Sequence, residues 1–380
     1  MKFFHLSDLH LGRKLLGESL LEEQAYIIEE IIKTAKEEKP DAVLMCGDIY
    51  DKSVPSAEAV RLLDGFLSQL VECGCSVFLI SGNHDGGSRL EFAGKILEKE
   101  NIYIEGTYKG KLEAVCLEDA WGEVYIHMLP FLRPDMLRPY EEELPKSYEE
   151  AVKTVLLKQP LKASARHVLM AHQFVTAGGR APETDQSEQL ILGGLDHVEV
   201  SCFEGFDYVA LGHIHRAQSV NALHIRYAGS PLAYSFSENK DLKSLTIVEL
   251  MEKGNNSVRK VLLQPKTKMA VLKDTMEALV SEKYQAYRKG YFLSIRLTDE
   301  EIPEYPLQRL RQVFSGILEF SVENRRTMHG GISGAAGLSV LKKTPETLFG
   351  DFYEKQNGVP LNETEKEILR ELIREVQVDV

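Results

Sequence analysis

Short apolar runs alternate with segments of helical periodicity along the first hundred residues. The apolar runs predict buried strands at Lys2–Leu6, Ala42–Cys46 and Ser76–Ile80. Apolar positions at helical spacing predict helices at Leu20–Lys36, at the residues after a Ser56 N-cap, and at Arg89–Glu98. Strands separated by helices of this length indicate βαβ units.

The next segment is richer in strands. A helix is predicted at Tyr148–Leu157. The predicted strands are Ile102–Ile104, Leu112–Leu117, Val124–Leu129, His167–Ala171, Tyr208–Leu211, His224–Tyr227 and Ser244–Leu250. This order predicts an α/β fold in which two mostly β layers pack against each other as a sandwich and helices flank them.

The pattern changes near Gln264-Pro265, so we place the end of a first domain at residues 1–265. Residues 266–329 predict a small α+β module, with helices at Lys268–Tyr287 and Leu307–Phe314 and strands at Tyr291–Leu297 and Leu318–Val322. The glycine-rich composition of residues 330–343 predicts a flexible linker.

Residues 344–380 predict two short helices, the second one N-capped by Asn362 with Glu365 three positions later. Each helix carries an apolar stripe. The stripes consist of Leu348, Phe349, Phe352, Tyr353, Ile368, Leu369, Leu372 and Ile373. Such stripes form either a local core or a surface that binds a partner, and the preceding linker favours a partner.

The bulk composition sets limits on the class of protein. The chain has 380 residues, a net charge of −13 and no apolar run of the ~18 residues that cross a bilayer. There is no signal-peptide pattern, and the five cysteines are irregularly spaced, so we expect a cytoplasmic protein with reduced thiols. The acidic balance argues against a freestanding basic DNA clamp, but it does not exclude a nucleic-acid substrate.

Five short clusters of metal-binding residue types each follow a predicted strand. They contain Asp8, His10, Asp48, Asn83, His84, Asp85, His172, His213 and His215. Carboxylate, amide oxygen and imidazole are the mixture that hard divalent cations such as Mn²⁺ accept. Each cluster alone is common, but their joint occurrence predicts a two-metal phosphoesterase. The other histidines are interpreted as structural or surface residues.

Two residues of the third cluster are better suited to other roles. His84 lies beside Asn83 in a glycine-rich turn, where it can face the substrate and donate a proton to the leaving oxygen. Asp85 is expected to orient His84 or another ligand.

At this point the chain resembles the calcineurin-like metallophosphoesterases, and in particular their nuclease branch. The resemblance covers roughly residues 1–250. It rests on the runs Ser7–Gly12, Gly47–Asp51, Val54–Val60, Ile80–Asp85, Ala171–Val175, Tyr208–His215 and Tyr227–Glu238. Phosphatases of the superfamily usually have an arginine where Lys52 stands and a glutamate where Asp85 stands, which favours the nuclease branch.

The resemblance implies two Mn²⁺ ions, although Mg²⁺ remains open. One ion would be held by Asp8, His10, Asp48 and His215, and the other by Asp48, Asn83, His172 and His213. His84 would protonate the leaving 3′-oxygen. The family members are 3′–5′ double-strand exonucleases and single-strand or hairpin endonucleases of DNA repair, recombination and replication.

The resemblance also implies partners. The nuclease would form a homodimer and join an SMC-like ATPase in a heterotetramer with two copies of each chain. Residues 266–329 would be a capping domain, and residues 344–380 would bind the ATPase coiled coil. No membrane role is implied.

Two alternatives remain open. The first is a phosphatase or cyclic-nucleotide phosphodiesterase of the same superfamily, and the second is a scaffold that has lost its metals. Basic residues near the clusters are candidates for DNA phosphate contacts, and surface ion pairs are an equal alternative for them. These candidates are Arg13, Lys14, Lys52, Arg61 and Arg89.

Overall fold

A computed structural model describes residues 1–185, 197–324, 349–350, 353, 361–362 and 364–369. The strands are β1 (Lys2–Leu6), β2 (Lys14–Leu15), β3 (Glu18–Ser19), β4 (Ala42–Cys46), β5 (Ser76–Ile80), β6 (Ile102–Glu105), β7 (Glu113–Asp119), β8 (Gly122–Leu129), β9 (Arg166–His172), β10 (Phe174–Thr176), β11 (His197–Glu199), β12 (Tyr208–Gly212), β13 (Ser219–Val220), β14 (Ala222–Tyr227), β15 (Ser244–Leu250), β16 (Asn256–Leu262), β17 (Lys268–Asp274), β18 (Tyr291–Leu297) and β19 (Ile317–Val322). The α-helices are α1 (Leu21–Glu38), α2 (Ala57–Glu72), α3 (Gly87–Leu90), α4 (Gly94–Leu97), α5 (Tyr148–Leu157), α6 (Met276–Val280) and α7 (Pro306–Arg311).

Two six-stranded sheets form the large domain. Their strand orders are β16-β15-β1-β4-β5-β6 and β13-β14-β12-β9-β8-β7. The residues between the sheets are fully apolar at positions such as Phe3, Leu44, Phe78 and Met170, which pack into one core. The predicted two-layer β-sandwich is therefore confirmed.

Helices cover the outer faces of the sandwich because each carries one apolar stripe. On the first sheet, Ile27 and Ile31 of α1 and Phe66 of α2 pack with Phe4 and Val43 of the strands. On the second sheet, α5 buries its stripe in a separate core with Leu169 and Val209. The α2 helix starts at the predicted cap, since the Ser56 hydroxyl accepts a hydrogen bond from the Ala59 amide at 3.3 Å.

The strand directions bring the five clusters to one edge. The neighbouring strands β1, β4 and β5 are parallel to one another, and so are β9 and β12 in the second sheet. Parallel neighbours end at the same side of a sheet, which is where α/β folds place their ligands. The loop after β1 also bonds to the loop after β4, through Asp8 N to Gly47 O at 3.0 Å and His10 N to Asp48 O at 2.9 Å.

Two helix predictions are wrong in detail. Lys268–Tyr287 is not one helix, because Lys268–Asp274 is the strand β17, which pairs in parallel with all seven residues of β18. Strand pairing overrides a weak local preference, and the helix α6 begins only after Thr275, whose hydroxyl caps it. Arg89–Glu98 is divided into α3 and α4 because Ala93 adopts φ +63° between them.

The small module has its own core. Its sheet order is β17-β18-β19, and Leu272, Leu279, Leu293, Leu310 and Phe314 pack together on it.

Part of the C-terminal prediction falls on described residues. Asn362 and Glu365 exchange hydrogen bonds, from Asn362 N to Glu365 Oε2 at 2.8 Å and from Glu365 N to Asn362 Oδ1 at 3.0 Å, which confirms the predicted cap. Of the stripe residues, Phe349 and Ile368 are 44% and 53% exposed and Leu369 is buried. Tyr353 donates a hydrogen bond from its hydroxyl to Glu365. The linker 330–343 and Leu348, Phe352, Leu372 and Ile373 lie outside the described residues.

All five cysteines carry free thiols. Among the described helices, none combines the length and the apolar character needed to span a bilayer.

A buried histidine pair should make the fold sensitive to acid. His127 Nε2 lies 2.9 Å from His167 Nδ1 in the second sheet. Burial, together with the charge of His167, lowers the pKa of His127 to about 4 from an ordinary 6.5. Between these values the unfolded chain binds a proton that the folded chain rejects, so stability falls as the pH falls. The expected slope from His127 is about 1.4 kcal/mol per pH unit. Urea unfolding of the wild type and His127→Gln across this range would measure it, and equal slopes in both proteins would contradict it.

Candidate metal centre

The loops that carry the clusters are held in a strained conformation. Asp8, His10, Asp48 and His213 have φ values of +54°, +43°, +50° and +102°. This region is unfavourable for residues with a Cβ, costing about 1–3 kcal/mol each, and it persists where function requires it. The strain turns the four side chains toward a common point between the sheet ends.

The first ligand set contains Asp8, His10 and His215, whose ligand atoms lie within 4.8 Å of one another. His10 Nε2 and His215 Nε2 are 3.1 Å apart. Both oxygens of Asp8 accept from the backbone amide of His213 at 3.1 Å, which fixes the carboxylate in the plane between the two sheets' loops. All three side chains are almost fully buried.

The second ligand set contains Asn83, His172 and His213. Asn83 Oδ1 lies 3.1 Å from His172 Nε2 and 3.0 Å from His213 Nδ1. His172 Nδ1 donates to the carbonyl oxygen of Cys46 at 2.8 Å, which directs Nε2 toward the site.

Asp48 lies between the two sets. Its Oδ2 atom is 3.6 Å from His10 Nε2 and 3.5 Å from His172 Nε2. Burial raises the pKa of Asp48, but the charges of His172 and His10 outweigh that effect and hold it well below its usual range. The carboxylate is therefore ionised and placed to contact both sets.

The donor chemistry of these residues fits two divalent cations. Asn83 Oδ1 is an acceptor, and so is His172 Nε2 once Nδ1 donates to Cys46, so the two face each other productively only around a cation. Without metal, burial lowers the pKa of His172, but the Asp48 carboxylate raises it further, to about 9. Metal binding at this position must displace that proton.

His84 stands at the edge of the centre. Its Nδ1 atom donates to the carbonyl oxygen of Asp51 at 2.9 Å, and its Nε2 atom lies 4.0 Å from Asp48 Oδ2. Its ring packs edge-on against His10. The side chain also borders an open cleft of about 710 Å³, so Nε2 is available to a bound substrate.

Asp85 acts on the loops that carry the ligands. Its carboxylate accepts hydrogen bonds from the backbone amides of Ile49 at 3.1 Å, Tyr50 at 2.9 Å and Gly82 at 2.9 Å. It therefore ties the Asp48 loop to the Asn83 loop. The contact that orients the His84 ring comes from Asp51 instead.

The predicted basic residues fall into two groups. Arg13, Lys14 and Lys52 line the same cleft as His84. Arg13 is also fixed by Asp51 at 3.1 Å and by the face of the Tyr234 ring. Arg61 and Arg89 are exposed and do not line that cleft, and Arg61 pairs with Glu58 on the surface.

Three supporting residues were missed by the sequence analysis. Gln24 of α1 donates to the carbonyl oxygens of His10 at 2.7 Å and Leu9 at 3.2 Å. Tyr234 donates to the Leu9 carbonyl oxygen, and Glu238 Oε1 lies 3.6 Å from His215 Nδ1. The run Tyr227–Glu238 was part of the family resemblance, and that was the available signal for the last two.

Glu238 is predicted to control metal affinity. It is fully buried, and Lys243 Nζ contacts its other oxygen at 2.5 Å. Burial raises the pKa of Glu238, but His215 and Lys243 hold it well below its usual range. Glu238→Gln should weaken metal binding about 10–100-fold, since the partner of a metal-bound imidazole sets its orientation and basicity.

The same substitution leaves Lys243 buried and unpaired, which costs about 3–5 kcal/mol. The double variant Glu238→Gln with Lys243→Met should therefore regain stability without regaining metal affinity. Calorimetric metal titration and urea unfolding separate the two effects. Wild-type metal affinity in the double variant would show that Glu238 does not act on His215.

The comparisons with known proteins agree with this geometry. Residues 1–217 match the family described as calcineurin-like phosphoesterase, and residues 265–357 match the type 5 capsule protein repressor C-terminal domain. Two curated relatives are named as the SbcD subunit of the nuclease SbcCD. The one from Staphylococcus epidermidis is 28% identical over 377 residues, and the one from Staphylococcus saprophyticus is 29% identical over 378 residues. Each match covers 98% of both chains.

A solved dimetal phosphatase from Danio rerio aligns over 70% of this chain and 99% of its own, with a TM-score of 0.40 and 13% identity. Since the family match spans more than half of the sequence and contains Asp8, Asp48 and His213 within its limits, this chain belongs to the calcineurin-like phosphoesterases.

Proposed function

We propose that this chain is the metal-dependent DNA nuclease subunit of an SbcCD-type complex. The observation that carries the proposal is the similarity along 98% of the chain to proteins named as the SbcD subunit of the nuclease SbcCD, in a chain whose ligand set is complete. A scaffold that had lost its metals would have no reason to keep the strained ligand loops.

The residues divide the reaction among them. A bound pair of divalent cations would lower the pKa of an attacking water and neutralise charge on the phosphate. Asp8, His10, Asp48 and His215 would hold one ion, and Asp48, Asn83, His172 and His213 the other. His84 donates a proton from Nε2 to the leaving 3′-oxygen, while the Asp51 carbonyl oxygen keeps the ring turned toward the cleft. Arg13, Lys14 and Lys52 bind phosphates along that cleft.

We further propose Mn²⁺ as the preferred metal, because the mixed nitrogen and oxygen ligands suit it better than Mg²⁺. The activities would be 3′–5′ exonuclease on double strands and endonuclease on single strands and hairpins, in DNA repair, recombination and replication. Residues 1–265 would form the nuclease domain and residues 266–329 the capping domain. Two copies of the chain would join two copies of an SbcC-like SMC ATPase.

One experiment tests the proposed function. The purified chain is incubated with labelled duplex, hairpin and single-stranded DNA, and with a small phosphate ester, in Mn²⁺, Mg²⁺ or chelator. We expect DNA cleavage that requires metal and is faster with Mn²⁺. Hydrolysis of the ester without any cleavage of DNA, even after the ATPase is added, would favour the small-molecule phosphatase alternative.

The C-terminal segment gives a separate prediction. Deleting residues 340–380 should leave metal-dependent cleavage of single strands intact and abolish association with the ATPase, because the deleted part carries the partner-binding stripes. Co-purification measures the association. If the truncated chain still co-purified with the ATPase, residues 344–380 would not be the binding segment.

A further inference from the structure

A buried arginine lies outside the metal centre. Arg226 belongs to β14 and is only 5% exposed. Its neighbours Ile225 and Tyr227 pack in the core under α5, so the side chain of Arg226 points the other way, into the space between the two sheets. Its register partner on β12 is Ala210, which belongs to the inter-sheet core.

This arginine has no anionic partner in the described part of the chain. No described carboxylate lies within ion-pair distance of its guanidinium, and its Nε atom is buried without a hydrogen-bond partner. A buried charge is normally paired, because leaving it uncompensated is strongly unfavourable.

Further unsatisfied groups face the same space. The hydroxyl oxygens of Ser244 and Thr246 are buried without a hydrogen-bond partner. They are two residues apart on β15, so both point to one face of the sheet. In register, Thr246 lies between His5 of β1 and Lys260 of β16.

The electrostatic surroundings are cationic. Burial and then the charge of Arg226 lower the pKa of His5 to about 3, and the same two causes lower the pKa of Lys260. Arg226 therefore acts on both side chains from within the same interior.

The interior opens to the surface through a pocket of about 260 Å³. Ser244 and Lys260 line it, together with Lys240. The one carboxylate among the lining side chains is Asp241, which pairs with Arg216 at 3.1 Å. The pocket is large enough to hold a phosphate group.

The geometry points to an oxyanion site of the phosphate class at this sheet edge, in which Arg226 supplies the charge and Ser244 and Thr246 donate hydroxyl hydrogen bonds. Lys260 lies at its entrance. The site is distinct from the ligand sets of the metal centre, and it does not depend on the proposed nuclease activity.

Inorganic phosphate is the probe. The melting temperature of the full, metal-loaded chain is measured against phosphate at constant ionic strength, for the wild type and for Arg226→Met. We expect the wild type to gain several degrees, because a ligand that binds only the folded state stabilises it. Arg226→Met should lose this gain, and in phosphate-free buffer it should melt no lower than the wild type, because it removes an uncompensated buried cation.

The matched control is Arg259→Met. Arg259 lies on the adjacent strand, is 45% exposed and already pairs with Glu38 at 2.5 Å, so this variant should keep the full phosphate response. Phosphate that binds at the metal centre would stabilise all three proteins equally. An equal gain in the wild type and in Arg226→Met would therefore overturn the site.

If Arg226→Met does not fold, the double variant Ser244→Ala with Thr246→Val decides the question. A reduced phosphate response supports the site, and an unchanged response refutes it. Repeating the titration with a deoxynucleoside monophosphate and with a single-stranded oligonucleotide identifies the source of the anion. A response to the oligonucleotide that Arg226→Met removes would assign the site to the nucleic-acid backbone, and a response to the small anions alone would assign it to a free phosphate.

Discussion

Replacing His84 with glutamine should slow DNA cleavage by about 10²–10⁴-fold, the usual contribution of a positioned general acid. Metal content and DNA affinity should stay near wild type. The physical reason is that the ring is held through Nδ1 by the Asp51 carbonyl oxygen, while its Nε2 atom faces the cleft and lies 4.0 Å from Asp48. Glutamine keeps a polar side chain at that point, but it cannot deliver a proton to the leaving oxygen.

The matched control is the same substitution at a ligand. His10 Nε2 lies 3.1 Å from His215 Nε2, inside the first ligand set, so His10→Gln should lose metal as well as activity. Metal analysis of the purified variants, with single-turnover cleavage, separates the two roles. Loss of metal from His84→Gln would place His84 among the ligands instead.

Substituting alanine for Gly212 should destabilise the fold by about 3 kcal/mol and abolish activity. A Cβ at this position would lie 1.9 Å from the carbonyl oxygen of Cys46 and 2.8 Å from His172 Nδ1. The Cys46 carbonyl oxygen is the acceptor that orients His172. The two sheets must therefore move apart at the point where their ligand loops meet.

Gly65→Ala is the control for that substitution. Gly65 lies inside α2, and a Cβ there would meet nothing within 4 Å. Alanine is favoured over glycine in a helix interior by about 1 kcal/mol, so this variant should be slightly more stable than the wild type. Urea unfolding and single-turnover cleavage measure both variants. Equal stability of the two variants would show that the sheets can separate at Gly212 without a penalty.

Local periodicity was sufficient for the large domain. The apolar runs that became β1, β4, β5, β9 and β12 were predicted because a strand buried on both faces has few other readings once helices separate it from the next. Periodicity failed at Lys268–Asp274, where a short run of mixed character was taken for the start of a helix. Its pairing with β18, twenty-three residues away in register, could not be seen in a local window.

The ligand residues were also accessible from sequence, because metal chemistry restricts which residue types can occur together. The roles of their supports were not. Gln24, Asp51 and Glu238 are ordinary polar residues, and only the packing of α1 and the loops against the ligands shows what they orient. Asp85 was chosen correctly as a residue of the site, but its contacts to three backbone amides are a property of the folded loops.

By itself the sequence determined the class of chemistry, the set of candidate ligands and the layered architecture, since each depends on residue type and on spacing along the chain. The tertiary structure alone decided which atoms meet: that Asp48 stands between two ligand sets, that His84 faces the cleft, and that Arg226 is buried without a partner. The reason is that these relations join residues from different strands and two different sheets, and a separation of a few ångströms in space leaves no periodic trace along the chain.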